Sequence, residues 1–315
     1  MEKLNHYVTA IAAIFRDEKD RYKAHQKAAP LLKEMGADKE VLFDVFRKNL
    51  LDENFINKLR HYPTLAFEIY QDDNMGISGN CFMPLPDRSG DLSFQSIHHH
   101  GKLLLTTVAA FGPGYQSIVF KKGFSIDKEK QTASMTMEKD YQFTPGSLEF
   151  VDSDQPHVVF FPDDASITFA MWAYSTVNNT TQKLKNNPLV KLFKEPIRKS
   201  LKTLGLLNKA GINAVENFDF YPEKNEIKVL KNRINFEAGS NDNFLTNVFY
   251  VLQRAKFNDT AFLESLKDKY PAKTHLHGLI DSLIAGREIK DEFYDFHKNV
   301  RFVNLSRKDI LAAVS

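Results

Sequence analysis

The chain has 315 residues, and its 43% hydrophobic and 12% aromatic content is ample for a folded core. A net charge of only +2 gives no electrostatic reason to expect nucleic acid or an anionic membrane as a partner, which leaves a small molecule. Cys81 is the single cysteine, so an internal disulfide and a cluster of thiolate metal ligands are both excluded. Any metal would be held by His, carboxylate or water.

The sequence shows no targeting or membrane-spanning segment. Its first residues lack a basic region followed by an apolar core, and no apolar run approaches the roughly 18 residues of a membrane span. A cytoplasmic location is therefore expected. The sequence leaves the oligomeric state open.

The first predicted segment, residues 1–62, is helical. Apolar residues recur at helical spacing from Leu4 to about Leu32, which predicts an amphipathic helix. Asp38 is predicted to cap a second helix that ends near Leu51, and Asp52 to cap a short third one. Isolated histidines in this segment are expected at the surface or at helix ends: His6, His25 and His61.

The second predicted segment, residues 63–178, is built from strands. Short apolar runs separated by Gly, Pro and Asp predict eight or nine strands of an antiparallel sandwich or barrel. The runs are Leu65–Tyr70, Gly79–Met83, Ser93–Ile97, Leu103–Phe111, Tyr115–Lys121, Thr132–Met137, Ser147–Val151, Val158–Phe161 and Ile167–Tyr174.

The third predicted segment, residues 179–315, is a helical domain. An apolar stripe with basic flanks runs from Leu189 to Leu204, and a helix packed on one face explains it better than a membrane surface or an acidic partner does. His275 and His277 lie in a predicted helix, where residues two apart point in nearly opposite directions, so they are not expected to share a metal. The predicted helices are Asn241–Phe257, Thr260–Lys269, His275–Ala285 and Glu288–Lys298, with Ser306 as a cap for the tail.

The stretch Gln95–Gly101 carries three consecutive histidines. If it is a strand, His98 and His100 share one face, while His99 points outward or into a neighbouring loop. His157 follows a Pro-Gly turn and a Pro-His step, and it could reach the same wall if the intervening strands fold back as hairpins. The spacing thus indicates a site of three imidazoles.

These residues resemble the two metal-binding motifs of the cupin superfamily. His-x-His-Gly begins at His98, and Pro-Gly at 145–146 is followed by Pro-His-x-Val at 156–159. The Glu that cupins usually place four or five residues after the second His is absent, since Leu104 and Leu105 stand there. With Ser-Ile-His-x-His at 96–100, the chain looks most like the three-histidine, cysteine-dioxygenase-like thiol dioxygenases. The resemblance covers about a third of the chain.

The resemblance implies Fe(II) held by His98, His100 and His157, dioxygen as co-substrate, and Tyr174 as the catalytic tyrosine. Tyr174 is equally compatible with an aromatic core position. Three neutral imidazoles also suit Zn(II), Ni(II), Mn(II) or Cu(II), and they leave positions open for a substrate.

The sequence departs from the thiol dioxygenases in its expected substrate contacts. Trp172 occupies the position of the relay histidine, and Gln71-Asp72-Asp73 stands where an arginine would hold the substrate carboxylate. Arg88 is the nearest substitute and is predicted to bind substrate. Glu149 and Asp154 flank His157 and are candidates to accept a hydrogen bond from an imidazole N–H.

The sequence therefore predicts an α+β fold: a cupin-type antiparallel β-barrel, or double-stranded β-helix, flanked by N-terminal helices and a C-terminal helical domain. The expected function is a mononuclear non-haem Fe(II)-dependent oxygenase acting on a small metal-chelating substrate. Two alternatives stay open. One is a non-oxidative isomerase or lyase using Zn, Ni or Mn, and the other is a non-catalytic ligand-sensing module.

Overall fold

A computed structural model describes residues 1–58, 64–84, 96–175, 217–221, 224–229, 240–290 and 306–314. The helices within these ranges are α1 (Glu2–Asp17), α2 (Arg21–Ala37), α3 (Lys39–Leu50), α4 (Glu53–Ile56), α5 (Asn241–Arg254), α6 (Thr260–Lys269), α7 (Thr274–Ile284) and α8 (Arg307–Val314). The strands are β1 (Leu65–Gln71), β2 (Gly76–Phe82), β3 (Ile97–His98), β4 (Leu103–Phe111), β5 (Tyr115–Phe120), β6 (Ser125–Asp127), β7 (Thr132–Ser134), β8 (Met137–Phe143), β9 (Leu148–Val151), β10 (His157–Val159), β11 (Ser166–Tyr174), β12 (Asn217–Tyr221) and β13 (Glu226–Val229).

The strands form two curled antiparallel sheets that face each other. One has the order β1-β2-β11-β4-β9, and the other has the order β6-β7-β13-β12-β3-β10-β5-β8. Their inner faces meet where the ring of Phe82 on β2 lies 4.6 Å from that of Tyr115 on β5, centroid to centroid. At one side the edge strands β8 and β9 are joined by an ion pair between Lys139 and Glu149. The predicted α+β fold, an antiparallel barrel with helices before and after it, is confirmed.

The outer face of the five-stranded sheet is covered by helices from both ends of the chain. Val108 of β4 lies directly against Gly36 of α2, while the ring of Phe43 in α3 meets that of Phe257, just after α5, at 5.1 Å. Asn241 at the start of α5 donates a hydrogen bond of 2.7 Å to the carbonyl of Ile56. The N- and C-terminal helices therefore share one apolar cluster with this sheet.

The outer face of the eight-stranded sheet has its own apolar cluster. Ile118 and Val158 contribute from neighbouring strands, Phe218 from β12, and Ile310 from α8. Because alternate strand residues point to opposite faces, this outward set leaves the other half of β5 and β10 for the barrel interior. His157 belongs to that inward half.

The structure differs from the sequence predictions in several places. The first predicted helix is broken at Glu18, and Asp20 caps the new helix α2 by accepting hydrogen bonds from two amides. The segment after residue 178 is not wholly helical, since β12 and β13 lie there and β12 pairs with β3. The predicted strand Thr132–Met137 is two strands, β7 and β8. The stripe from Leu189 to Leu204 and most of the helix predicted after Glu288 lie outside the described residues.

One histidine of the helical segment does not lie at the surface. His25 in α2 is only 1% exposed, and its Nδ1 lies 2.7 Å from Oγ1 of Thr106 on β4. The prediction of a surface or capping position is wrong for His25 because α2 lies flat on the sheet. Among the described residues, no helix is both long and apolar enough to cross a membrane.

Candidate metal centre

Two of the predicted ligands are direct neighbours in the sheet. β3 and β10 pair in antiparallel register with His98 opposite His157. Residues directly opposite in an antiparallel pair hold their side chains side by side on one face, and the two imidazole centroids are 4.4 Å apart. The pairing of β3 with β10 thus brings together His98 and His157, which are far apart in the sequence.

The third predicted ligand comes from a turn. β3 ends at His98, and the chain turns at Gly101, whose φ of +60° lies in the left-handed region that glycine favours. The turn brings the His100 ring to 5.0 Å from the ring of His98 and 5.0 Å from that of His157. The prediction that His98 and His100 lie together agrees with the structure, but the predicted reason, one continuous strand, is wrong.

The three imidazoles converge closely enough to hold one ion. One ring nitrogen from each of His98, His100 and His157 lies within 4.8 Å of the other two. Among the described residues, these three histidines are the cluster of potential metal ligands that the structure brings together. His98 is 5% exposed and His157 6% exposed, so the group lies inside the barrel rather than on its surface.

The hydrogen bonds of two histidines set the tautomer that suits a metal ligand. Nδ1 of His98 lies 3.0 Å from the carbonyl oxygen of Ser96, and Nδ1 of His157 lies 3.3 Å from that of Gln155. A carbonyl oxygen only accepts, so each Nδ1 carries the proton and donates it, and each Nε2 keeps its lone pair.

The carboxylates that the sequence suggested as hydrogen-bond acceptors do not take this role. Glu149 pairs with Lys139. Asp154 pairs with Lys102, and its Oδ1 lies 3.8 Å from Nδ1 of His99. Main-chain carbonyls orient the imidazoles of His98 and His157 instead, by the same contact with the residue two positions upstream.

Burial keeps His98 and His157 neutral. Loss of hydration lowers the pKa of His98 well below its ordinary value, and the neighbouring His157 and His100 lower it further. Burial also lowers the pKa of His157 to about 4. Neutral imidazoles with an unprotonated Nε2 are the form that binds Fe(II), Zn(II), Ni(II) or Cu(II), so the donor set fits a divalent metal.

The middle histidine of the triplet lies apart from the cluster. His99 is 3% exposed and its ring lies 5.6 Å from that of Phe124, centroid to centroid. The main-chain N–H of Gly101 donates a 3.0 Å hydrogen bond to Nδ1 of His99. His99 therefore stabilises the turn that presents His100, and its buried ring lies against Phe124 in the loop between β5 and β6, which agrees with the prediction that it points into a neighbouring loop.

The other predicted site residues lie farther along the barrel or outside the described ranges. Tyr174 ends β11 opposite Leu103 and is 42% exposed. Trp172 lies on the same face as Tyr174, and its indole covers Gly76 of β2. Arg88 lies outside the described residues, so its predicted role in substrate binding stays a prediction. A catalytic role for Tyr174 also stays a prediction.

The two histidines of the second His-x-His contact different partners. His275 Nε2 lies 2.9 Å from Oγ1 of Thr246, and His277 Nε2 lies 3.0 Å from the carbonyl oxygen of Tyr270. Each ring joins α7 to a different neighbour, so the two are structural.

Sequence reasoning missed a polar wall beside the histidines. Ser117 on β5 lies opposite Tyr141 on β8, and Val119 lies opposite Lys139. The period-two pattern of β8 could have indicated this wall, since Lys139 and Tyr141 alternate with outward residues. The predicted strand Thr132–Met137 ends before these residues and does not include them.

Comparison with known proteins gives a fold likeness and no family. No family model and no curated protein matches the chain. Similar solved structures include the Cnp3 cupin domain of Schizosaccharomyces pombe, with a TM-score of 0.26 and 5% identity over 40% of this chain and 74% of that chain. A double-stranded β-helix protein of Klebsiella pneumoniae matches with a TM-score of 0.23 and 10% identity, over 36% and 77% of the two chains.

The DMSP lyase DddQ of Ruegeria pomeroyi matches with a TM-score of 0.24 and 11% identity, over 39% of this chain and 50% of that chain. The match therefore spans about half the length of that lyase. Likeness at these TM-scores assigns no reaction to this chain.

Proposed function

We propose that the protein is a metal-dependent enzyme that holds a divalent ion with His98, His100 and His157, and that it is an Fe(II)-dependent dioxygenase acting on a small chelating substrate. The observation that carries the proposal is the convergence of three imidazole nitrogens within 4.8 Å on the inner face of the barrel. The tautomers of His98 and His157, set by main-chain carbonyls, support it.

The neutral donor set favours an anionic substrate. Three imidazoles contribute no negative charge, and Leu104 and Leu105 stand where a fourth, carboxylate ligand would be expected. A bound divalent cation would therefore keep its full charge and attract an anionic group. Fe(II) in such a site would supply redox chemistry and open positions for substrate and dioxygen.

The residues of this chain orient and shield the reactants. Trp172 closes one part of the inner face by lying across Gly76, which limits the room for water beside the substrate. Tyr174, at the exposed end of β11, is proposed to donate a hydrogen bond to a reactant that enters from that end.

A second candidate uses the same residues without oxygen. With Zn(II), Ni(II) or Mn(II), the three imidazoles would hold a Lewis acid for a lyase or isomerase reaction. The neutral donor set favours neither candidate by itself. Turnover that continues at full rate after oxygen is removed would favour this second function.

Metal analysis of protein purified without oxygen tests the proposal first. We expect one metal ion per chain in the wild type and none in His98→Ala or His157→Ala. His277→Ala is a matched control, since that imidazole bonds a carbonyl far from the cluster, and it should retain the metal. Full metal retention in both ligand variants would overturn the site.

Oxygen consumption then tests the reaction. The Fe(II)-loaded protein is incubated with thiols and other chelating acids, and the oxygen uptake is compared with that of the His157→Ala variant. Substrate-dependent uptake in the wild type alone supports the dioxygenase. Product formation without oxygen uptake supports the lyase or isomerase, and ligand binding without any product supports a sensing module.

A further inference from the structure

One lysine lies in the same transverse row of the barrel as the histidine cluster. The register of three adjacent strand pairs places His98 opposite His157, His157 opposite Val119, and Val119 opposite Lys139. Directly opposite residues share a face of the sheet, so all four side chains lie on the barrel side. Two strand spacings separate His157 from Lys139, about 10 Å between Cα atoms. A lysine side chain can cover a large part of that distance.

The ammonium group of Lys139 is held in place from the opposite sheet. It forms an ion pair with the carboxylate of Glu149 on β9, and its Nζ lies 5.4 Å from the centroid of the Tyr141 ring. Glu149 Oε1 also accepts a 3.2 Å hydrogen bond from the amide of Phe150. The Glu149 side chain is 14% exposed and that of Lys139 38% exposed. The carboxylate of Glu149 is therefore held in place, and the ammonium group of Lys139 is the accessible member of the ion pair.

A purely structural role does not account for the position of the Lys139–Glu149 ion pair. The ion pair joins the edge strands β8 and β9, but the turn between them is already closed by Thr144, whose amide donates a 3.2 Å hydrogen bond to Ser147 Oγ. An ion pair with one partner more than a third exposed adds little stability. An ion pair that served only to join β8 and β9 would also not have to lie in the row of residues that contains the histidines. A cation placed there has two of its three ammonium donors unused among the described residues.

We propose that Lys139 is the second recognition point of the pocket and binds a terminal carboxylate of a substrate whose other end coordinates the metal. This rests on the proposed function, because the histidine cluster must hold a metal for the first contact. The substrate class is a small bifunctional acid: a chelating head group, a short carbon chain and a distal carboxylate. Glu149 orients Lys139 in the free protein and shares it with the carboxylate of the ligand.

Two matched ligands test the proposal on Co(II)-loaded, full-length protein. 2-Oxoglutarate and 2-oxopentanoate present the same 2-oxo acid chelate and differ only in the distal carboxylate. Their affinities are measured from the visible spectrum of the bound Co(II), which reports binding without turnover. We expect the wild type to bind 2-oxoglutarate about tenfold more tightly than 2-oxopentanoate, as one charged hydrogen bond in a partly shielded site allows.

Variants at the two partners should act in opposite directions. Lys139→Met should remove the preference for 2-oxoglutarate and leave 2-oxopentanoate binding unchanged, whereas Lys139→Arg should retain part of the preference. Glu149→Gln should strengthen 2-oxoglutarate binding several-fold, since the competing carboxylate is gone. A structural clamp predicts a different pattern: both variants would lower the melting temperature equally, and the ratio of the two affinities would be the same in the wild type and in both variants.

The result separates this inference from the proposed function. If the wild type takes up no metal, the proposed function fails before any ligand is added. If the metal binds and both ligands perturb the Co(II) spectrum with equal affinity in every variant, the metal site stands and the role of Lys139 is overturned. Thermal melts followed by circular dichroism identify any variant whose loss of binding comes from misfolding. If Lys139→Met misfolds, the affinities of Lys139→Arg for the two ligands decide whether the position recognises the distal carboxylate.

Discussion

The indole of Trp172 on β11 lies directly across the main chain of Gly76 on β2. A Cβ atom built on Gly76 would stand 2.3 Å from Cζ2 and 2.4 Å from Cε2 of the indole, well inside van der Waals contact. The two residues are register partners in adjacent strands. Glycine is therefore required at position 76 by the one tryptophan of the chain, which occupies the position expected for a relay histidine.

Gly76→Ala should destabilise the protein by about 1–3 kcal/mol, because the rigid indole must leave its position to admit a methyl group. Urea unfolding measures the free energy. Gly278→Ala in α7 is the control: a Cβ there meets nothing within 4 Å, and the change should stabilise the helix by about 0.5–1 kcal/mol. Equal effects of the two substitutions would contradict the close contact.

Stability should fall in acid through His25. Burial, with a smaller effect of Arg21, lowers the pKa of His25 in the folded protein from 6.5 to about 3. The unfolded chain therefore binds a proton below pH 6.5 that the folded protein does not. The contribution of His25 is fully present above pH 6.5 and declines between pH 6.5 and about 3 by up to ~1.4 kcal/mol per pH unit.

The measurement is the free energy of unfolding at several pH values for the wild type and for His25→Phe. Phenylalanine suits the site, since the His25 ring lies 5.0 Å from that of Phe15 and 5.7 Å from that of Phe150. His25→Phe loses the contact with Thr106 at every pH. The diagnostic quantity is therefore the slope of the free energy of unfolding against pH. Parallel pH profiles of the two proteins would contradict the buried neutral imidazole.

Metal binding should stabilise the fold. A divalent ion present at 100 times its dissociation constant raises the free energy of unfolding by about 2.7 kcal/mol when only the folded protein binds it. The melting temperature should rise on adding Fe(II) or Zn(II) to the wild type and to His277→Ala. It should not change in His100→Ala, which tests the ligand that comes from the turn. A similar rise in His100→Ala would show that the turn residue is not a ligand.

Asp154 links the loop before β10 to the turn that follows His100. Its φ of +56° lies in the left-handed region, and its amide donates a 2.6 Å hydrogen bond to the carbonyl of Gly101. Asp154→Val should cost about 1–3 kcal/mol, because a β-branched residue is strained at this φ.

Asp154→Asn is the matched variant, since asparagine tolerates the left-handed region. It should be nearly neutral and keep metal affinity, because the lost ion pair with Lys102 is exposed and weak. Thermal melts and metal titrations compare the two variants. Equal stability of Asp154→Val and Asp154→Asn would rule out backbone strain at this position.

The helices from both ends of the chain should unfold together with the barrel. Phe257 is 2% exposed and lies between α3 and α5, so Phe257→Ala should cost about 3–5 kcal/mol. Leu51→Ala, at a residue 39% exposed, is the control and should change stability by less than about 0.5 kcal/mol.

Two probes test whether unfolding is cooperative. The fluorescence of Trp172, the single tryptophan, reports the barrel, and far-ultraviolet circular dichroism reports mainly the helices. We expect coincident transitions in the wild type and in Phe257→Ala. Separate transitions would instead support the predicted independent segments 1–62, 63–178 and 179–315.

The sequence alone was enough for features that depend on near neighbours. A short apolar run between turn residues predicted Leu103–Phe111 as a strand, and the structure has β4 with the same bounds. Asp38 was predicted as a helix cap, and its side chain accepts a hydrogen bond from the amide of Glu40. His98, His100 and His157 could likewise be predicted as metal ligands, because the residue types of a metal site and their spacing can be read from the sequence.

The tertiary structure decided the features that depend on distant partners. The register of β3 against β10 sets His98 opposite His157, and the same register continued to β8 places Lys139 in that row. β12 joins the sheet through pairing with β3, which local propensity does not encode. His25 is buried only because α2 lies on the sheet. Hydrogen bonds and burial between remote segments set these positions, and only the folded chain brings those segments together.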